Sequence, residues 1–177
     1  MTTTKWALDP THSEIGFKVK HMMFTNISGS FNSFEVTAET GSDDFTDAKI
    51  EFKANVNSVS TNNEQRDTHL KSADFFDAEN FPAITFSATE IKLNSLDDYK
   101  LTGNLTIKGI TKSISLDLEN GGLMKDPWGN LKAGFSILGS INRTDFGLVW
   151  NAPLETGGVL VSDEVRINCE IQLVKQA

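Results

Sequence analysis

The sequence is poor in the residues from which catalytic and metal centres are usually built. Its 177 residues hold one cysteine, Cys169, and three histidines, His12, His21 and His69. A single cysteine excludes an intrachain disulfide and says nothing about the redox compartment. The histidine spacings match no compact metal motif, and no cysteine cluster accompanies them, so neither metal nor cofactor is expected. Gly-rich phosphate loops are absent: Gly121-Gly122 and Gly157-Gly158 read as hairpin turns with no lysine–threonine partner. Ser13 follows His12 but lacks the G-x-S-x-G surroundings of a nucleophile elbow. Cations are outnumbered, 16 Lys+Arg against 24 Asp+Glu, and the net charge of −8 argues against a nucleic-acid partner. The same acidity disfavours docking on anionic lipid headgroups by charge alone. No apolar run is long enough to cross a membrane, so no stable membrane insertion is expected. The start, MTTTKWALDP, has no apolar signal core; the chain as written is expected to be cytoplasmic, or periplasmic if a signal was removed.

What the sequence has is alternation. Ile15, Phe17 and Val19 share one face against Glu14, Lys18 and Lys20. Similar rows run through Phe34 to Ala38, Ala48 to Val56, Ile84 to Ala88, Tyr99 to Ile107, Ile114 to Leu118, Ala133 to Ile141 and Val165 to Leu173. Phe31 is out of phase with Phe34, which places a bulge at Asn32-Ser33. Turn signals at Thr40-Gly41-Ser42-Asp43, Asn94 to Asp98, Gly109, Asn120-Gly121-Gly122 and Gly157-Gly158 separate the rows. The pattern predicts an all-β chain of eight antiparallel strands, each with one wet and one dry face, in a single domain over residues 1–177. One-sided strands in series stack as two sheets or close into a barrel.

The alternation stops at Thr61–Pro82. Thr61 and Glu64 have capping-box spacing, and Ser72 offers a second cap ahead of Phe75-Phe76. A short helical segment near residues 62–78 is expected, its aromatic pair plugging or flanking a barrel end. Elsewhere the Asp9-Pro10-Thr11-His12-Ser13 run reads as turn chemistry. In Asn142-Arg143-Thr144-Asp145-Phe146-Gly147, Arg143 has two readings: a contact for an anionic ligand head, and, the favoured one, a pair with a carboxylate such as Asp67 or Asp145 that ties a strand end to the helix.

The dry faces mix 12 phenylalanines with Ala48, Ala54, Ala88, Gly103, Ala133 and Gly139. An eight-stranded barrel of this kind is either just filled or has room for one small ligand, and the pattern leaves both open. The scarcity of polar groups arranged for catalysis favours binding something greasy.

The same segments resemble the YceI-like family, lipocalin-like proteins that bind polyisoprenoids. The likeness rests on Asp9-Pro-Thr-His-Ser13, Phe17-Lys-Val-Lys-His21 and Gly29-Ser-Phe31. It continues with the run Thr61 to Asp77, then Phe81-Pro-Ala-Ile-Thr-Phe86, Leu105 to Lys112 and Ile141-Asn-Arg-Thr-Asp-Phe-Gly147. The resemblance implies an eight-stranded antiparallel barrel partly closed by a short helical segment. Its tunnel would hold a polyisoprenoid, an isoprenoid quinone or a fatty-acid-like chain. It carries over no catalytic residues. Inward phase assigns the ligand site to Phe17, Val19, Phe31, Phe52, Phe86, Gly103, Leu105, Ile107, Phe135, Gly139 and Ile141, with Phe146 and Trp150 near a mouth. The expected function is non-catalytic binding, transport or storage of that lipid. The rival readings are a lipid-modifying hydrolase using His12 or His21, and a packed stress-response homodimer.

Overall fold

A computed structural model describes residues 2–154 and 159–177. The expected turn at Gly157-Gly158 lies outside the described residues. The strands are β1 (Thr4–Leu8), β2 (Glu14–His21), β3 (Thr25–Phe31), β4 (Phe34–Thr40), β5 (Lys49–Asn55), β6 (Val59–Ser60), β7 (Ala83–Ser95), β8 (Asp98–Ile107), β9 (Ile110–Lys125), β10 (Leu131–Asn142) and β11 (Val161–Lys175). The one α-helix among the described residues is α1 (Glu64–Lys71).

The strands hydrogen-bond in the order β1-β4-β5-β7-β8-β9-β10-β11, and β11 returns to β1 through Leu173 to Lys175. This is the closed eight-stranded antiparallel barrel that the sequence led us to expect. Closure leaves the ring without a free edge. The remaining strands extend β11: β2 pairs along Val161 to Glu170, β3 on β2, and β6 on the end of β3. Strands β1 and β2 are therefore two halves of one strand, bent where Pro10–His12 make a turn of 3-10 helix.

That corner is held by bonds within the turn and by two ties to distant strands. The Asp9 carboxylate accepts from the Thr11 N–H and hydroxyl, meets His12 Nδ1 at 2.9 Å and receives Lys132 Nζ at 2.8 Å. The Lys132 hydrogen bond, with His12 and Thr11 behind it, holds the Asp9 carboxyl well below the usual carboxylate range. Ser13 Oγ donates to the Asp9 carbonyl at 2.7 Å and accepts from the Gln172 N–H at 2.9 Å, stitching the bend to β11.

Three local expectations are corrected. At Asn32-Ser33 there is a strand break rather than a bulge. Phe31 pairs with Ile15 and Val59, Phe34 with Ala54, and so both rings turn inward although they are three residues apart. Asn120-Gly121-Gly122 is no hairpin turn: β9 runs through it, with a register shift between Ala133 and Phe135 on its partner strand. Gly122 takes φ +92°, a conformation that serves a bulge as well as a turn. The chain reverses at Asp126 to Asn130, where Asp126 Oδ1 accepts from the Trp128 and Asn130 N–H groups. Finally, Thr61 and Glu64 do not form the capping box. Asn63 caps α1 by accepting from the Arg66 N–H, and Ser72 ends that helix rather than starting another, its N–H and Oγ both donating to the His69 carbonyl.

One barrel end is closed by rings. Phe45 packs on Trp6 and on Phe135 with centroids 4.9 Å apart in each pair, and Trp6 Nε1 donates to buried Thr40. The other end carries α1, the β2–β3 hairpin and the chain leaving β10.

Candidate functional site

A cavity of about 360 Å3 runs inside the barrel. Its wall comes from the dry faces that the alternation defined. Of the residues assigned from phase, Phe17 and Val19 on β2, Phe31 at the end of β3, Phe52 on β5 and Phe86 on β7 line it. Leu105 and Ile107 on β8, Phe135 and Ile141 on β10, and Trp150 at the far end do so too.

Gly103, Gly139 and Phe146 do not, and the reasons are steric. A Cβ on Gly103 would lie 2.5 Å from Phe86 Cζ and from the Ser87 carbonyl oxygen. One on Gly139 would lie 2.4 Å from Leu116 Cδ2. These glycines are therefore roofed by neighbouring side chains and add no open volume. Phe146 is fully buried in a 3-10 turn, Arg143–Phe146, packed into the core away from the cavity.

Phase also points to wall residues not singled out at first, such as Val36, Ile84, Tyr99, Leu101 and Leu116. Others have no periodic signal because irregular chain carries them. Phe45 comes from the β4–β5 loop. His69 and Leu70 come from α1, and Phe75 and Phe76 from the turns after it. The aromatic pair, expected to plug or flank a barrel end, forms part of the wall there. Phe76 sets its edge against Phe31 at 5.8 Å, while Phe75 meets Trp150 at 5.4 Å and His69 at 5.0 Å.

The polar groups of the wall are largely spent on the fold. Arg143 is 3% exposed, and its partners are not Asp67 or Asp145. It donates to the carbonyls of Leu148, Trp150, Val161 and Ser162, with Asp163 at 3.6 Å. Burial pulls its pKa down from the usual arginine value. Asp67 is occupied by Thr61, whose N–H and hydroxyl donate to it at 2.8 and 2.6 Å. Arg66 in turn donates to the Thr61 hydroxyl and carbonyl at 2.7 and 2.8 Å, anchoring α1 to the end of β6. His69 Nε2 pairs with Asp74 at 2.9 Å, and its ring meets Trp150 edge-on at 4.7 Å. The Cys169 thiol faces the cavity, and burial pushes its pKa up to about 11, so it stays protonated and unreactive. His21 sits on the rim; His12 lies outside the main cavity at the Asp9 corner. Among the described residues no group of three His, Cys, Asp or Glu could hold a metal ion. The arrangement offers a dry, apolar volume with a polar rim, which suits partition of an apolar molecule.

A family model described as the YceI-like domain matches residues 6–173. The chain belongs to the YceI-like domain family. A UPF0312 protein of Staphylococcus aureus strain N315 is 38% identical to this YceI-like chain over 170 residues, covering 96% of each. The solved YceI protein of Campylobacter jejuni is 32% identical, with a TM-score of 0.77 over 96% of this chain and 97% of that one. BcnA of Burkholderia cenocepacia shares the fold at 21% identity, TM-score 0.79, over 93% of this chain and 98% of its own. A polyisoprenoid-binding domain from Saccharophagus degradans, implicated in plant cell wall breakdown, shares it at 14% identity, TM-score 0.71, over 97% and 98%.

Proposed function

We propose that this YceI-like chain binds a long apolar molecule of isoprenoid type inside the barrel and carries or stores it without chemical turnover. The observation that carries the reading is the cavity itself. About 360 Å3 bounded by Phe, Ile, Leu and Val falls within the roughly 300–1,000 Å3 of ordinary small-molecule sites. Apart from Lys20 and His21, its polar wall side chains are already largely engaged by backbone and by one another. Each CH2 buried contributes about 0.8 kcal/mol, so a few isoprene units hold a ligand with no ionic contact. The polyisoprenoid-binding domain of Saccharophagus degradans, with the same fold, supports this ligand class by analogy. A barrel packed solid is at odds with the open volume.

Organic extraction of purified protein followed by mass spectrometry tests the reading, together with uptake of an added isoprenoid quinone and of a fatty amide. The expected result is a stoichiometric apolar chain recovered unchanged. Ligand present at a hundredfold its Kd should add about 2.7 kcal/mol of stability. A protein that yields no lipid and takes up neither probe overturns the proposal; hydrolysis of an offered lipid ester overturns its non-catalytic part.

A further inference from the structure

The β2–β3 hairpin ends in Met22-Met23-Phe24, whose side chains are 40%, 59% and 84% exposed. A three-residue reversal in water would ordinarily use Gly, Asn or Asp, above all where φ is positive. Here Met22 and Met23 hold φ +53° and +64°, and the three side chains are large and apolar. Core packing does not explain them.

Position and charge do. The Met22 N–H donates to the Leu160 carbonyl at 2.8 Å, and Leu160 and His21 both line the cavity. The apolar tip therefore grows directly out of the cavity rim. From Ile15 to Phe34 the chain carries Lys18, Lys20 and His21 and no carboxylate, although the whole protein has a net charge of −8. Lys18 and Lys20 are exposed, and Arg166 lies opposite Lys18 on β11, reaching Asn26 on β3. The nearest acids on β11 are Asp163, beside Arg143, and Glu164. Glu164 precedes Val165, the partner of Val19, and so lies beside Lys20; against it stand Lys18, Lys20 and Arg166, while Asp163 faces Arg143, so the outer face of the hairpin and its partner strand keeps a local excess of cations.

We propose that this hairpin is a membrane-docking element. Met22, Met23 and Phe24 enter the interfacial layer of a lipid surface, Lys18 and Lys20 meet anionic headgroups, and the rim of the barrel is brought to the bilayer. Such an element lies on the membrane without spanning it. Its purpose rests on the cavity reading: an apolar chain then moves between bilayer and barrel without crossing water.

Co-sedimentation with vesicles tests it, using phosphatidylcholine alone and equal parts phosphatidylcholine and phosphatidylglycerol. Loading of a soluble apolar fluorophore is measured separately, without vesicles. Wild type is expected to bind the mixed vesicles more tightly than the neutral ones, with salt weakening the difference. Phe24→Ser should lower the partition coefficient about tenfold or more, the loss of one buried aromatic side chain. Lys18→Gln should lower it about fivefold on the mixed vesicles alone. Both variants should load the fluorophore as wild type does. Trp128→Ser, which removes the 82%-exposed ring at the opposite barrel end, should leave partition unchanged. Wild type that stays off both vesicles overturns the docking role, as does an equal loss in Trp128→Ser. A change from dimer to monomer in Phe24→Ser, read by sedimentation equilibrium, also overturns it, since the tip would then be a contact between two copies. Vesicle binding with no fluorophore loading would instead refute the cavity reading and leave docking intact.

Discussion

Arg143→Met offers the sharpest test of what holds the barrel rim together. The guanidinium donates to Ser162 and Trp150 at 2.9 Å and also reaches the Leu148 and Val161 carbonyls. Methionine fills much of the volume and removes every donor. Each carbonyl left dry costs about 1–3 kcal/mol. Water at the rim re-solvates some of them, so the four do not add. The cost of breaking a buried charged network, about 3–5 kcal/mol, is the better guide. With a urea slope of roughly 2 kcal/mol per molar, the unfolding midpoint should fall by about 2 M. Total stabilities run to about 5–15 kcal/mol, so the variant should still fold in water. Asp163→Asn should cost under about 1 kcal/mol, because that carboxylate is mostly in solvent and 3.6 Å away. Arg143→Lys should recover only a part, since one ammonium cannot span the fan of carbonyls. A midpoint for Arg143→Met within about 0.5 M of wild type would refute the structural role. Selective loss of phosphorylated ligands at unchanged stability would assign Arg143 to a headgroup instead.

Three further outcomes are expected. Phe75→Ala should destabilise by about 3 kcal/mol or more, and Phe76→Ala by less because its ring is only half-buried; a double variant unfolding at the wild-type midpoint would place both rings in solvent. Gly103→Ala should cost about 1–3 kcal/mol, because its Cβ meets the Ser87 backbone, whereas in Gly139→Ala the flexible end of Leu116 yields and the loss is smaller; calorimetry giving the reverse order would contradict the packing. The folded-state pKa of Asp9 lies below its ordinary 3.8, so its stabilisation is complete above that value and is lost as pH falls below it. The stability gap between wild type and Asp9→Asn should therefore narrow between about pH 5 and about pH 2, and a gap independent of pH would dissociate Asp9 from the Lys132 tie.

Much of the barrel was legible in the sequence because a strand with one dry face writes its phase into every second residue. Phe17, Val19, Phe86, Leu105 and Phe135 follow from that phase alone and reach the cavity wall. The turn at the Asp9 corner was equally readable, since its bonds to Thr11 and Ser13 close within a few residues, but its ties to Lys132 and Gln172 were not. Phase says which face is dry, but not what lies across it. Gly103 and Gly139 therefore looked like empty space until Phe86 and Leu116 were seen to fold over them. Partners distant in sequence carry no local mark either. Arg143 bonds to carbonyls up to 19 residues away, and no residue type announces a backbone oxygen. Asn120-Gly121-Gly122 has the composition of a turn, and only the pairing of β9 with β10 makes it a bulge. The sequence by itself thus determined which residues face inward, because side-chain direction is a local property of the strand. Whether that interior stays open, and where its mouth lies, was decided by tertiary structure, because volume and closure depend on side chains brought together from across the barrel.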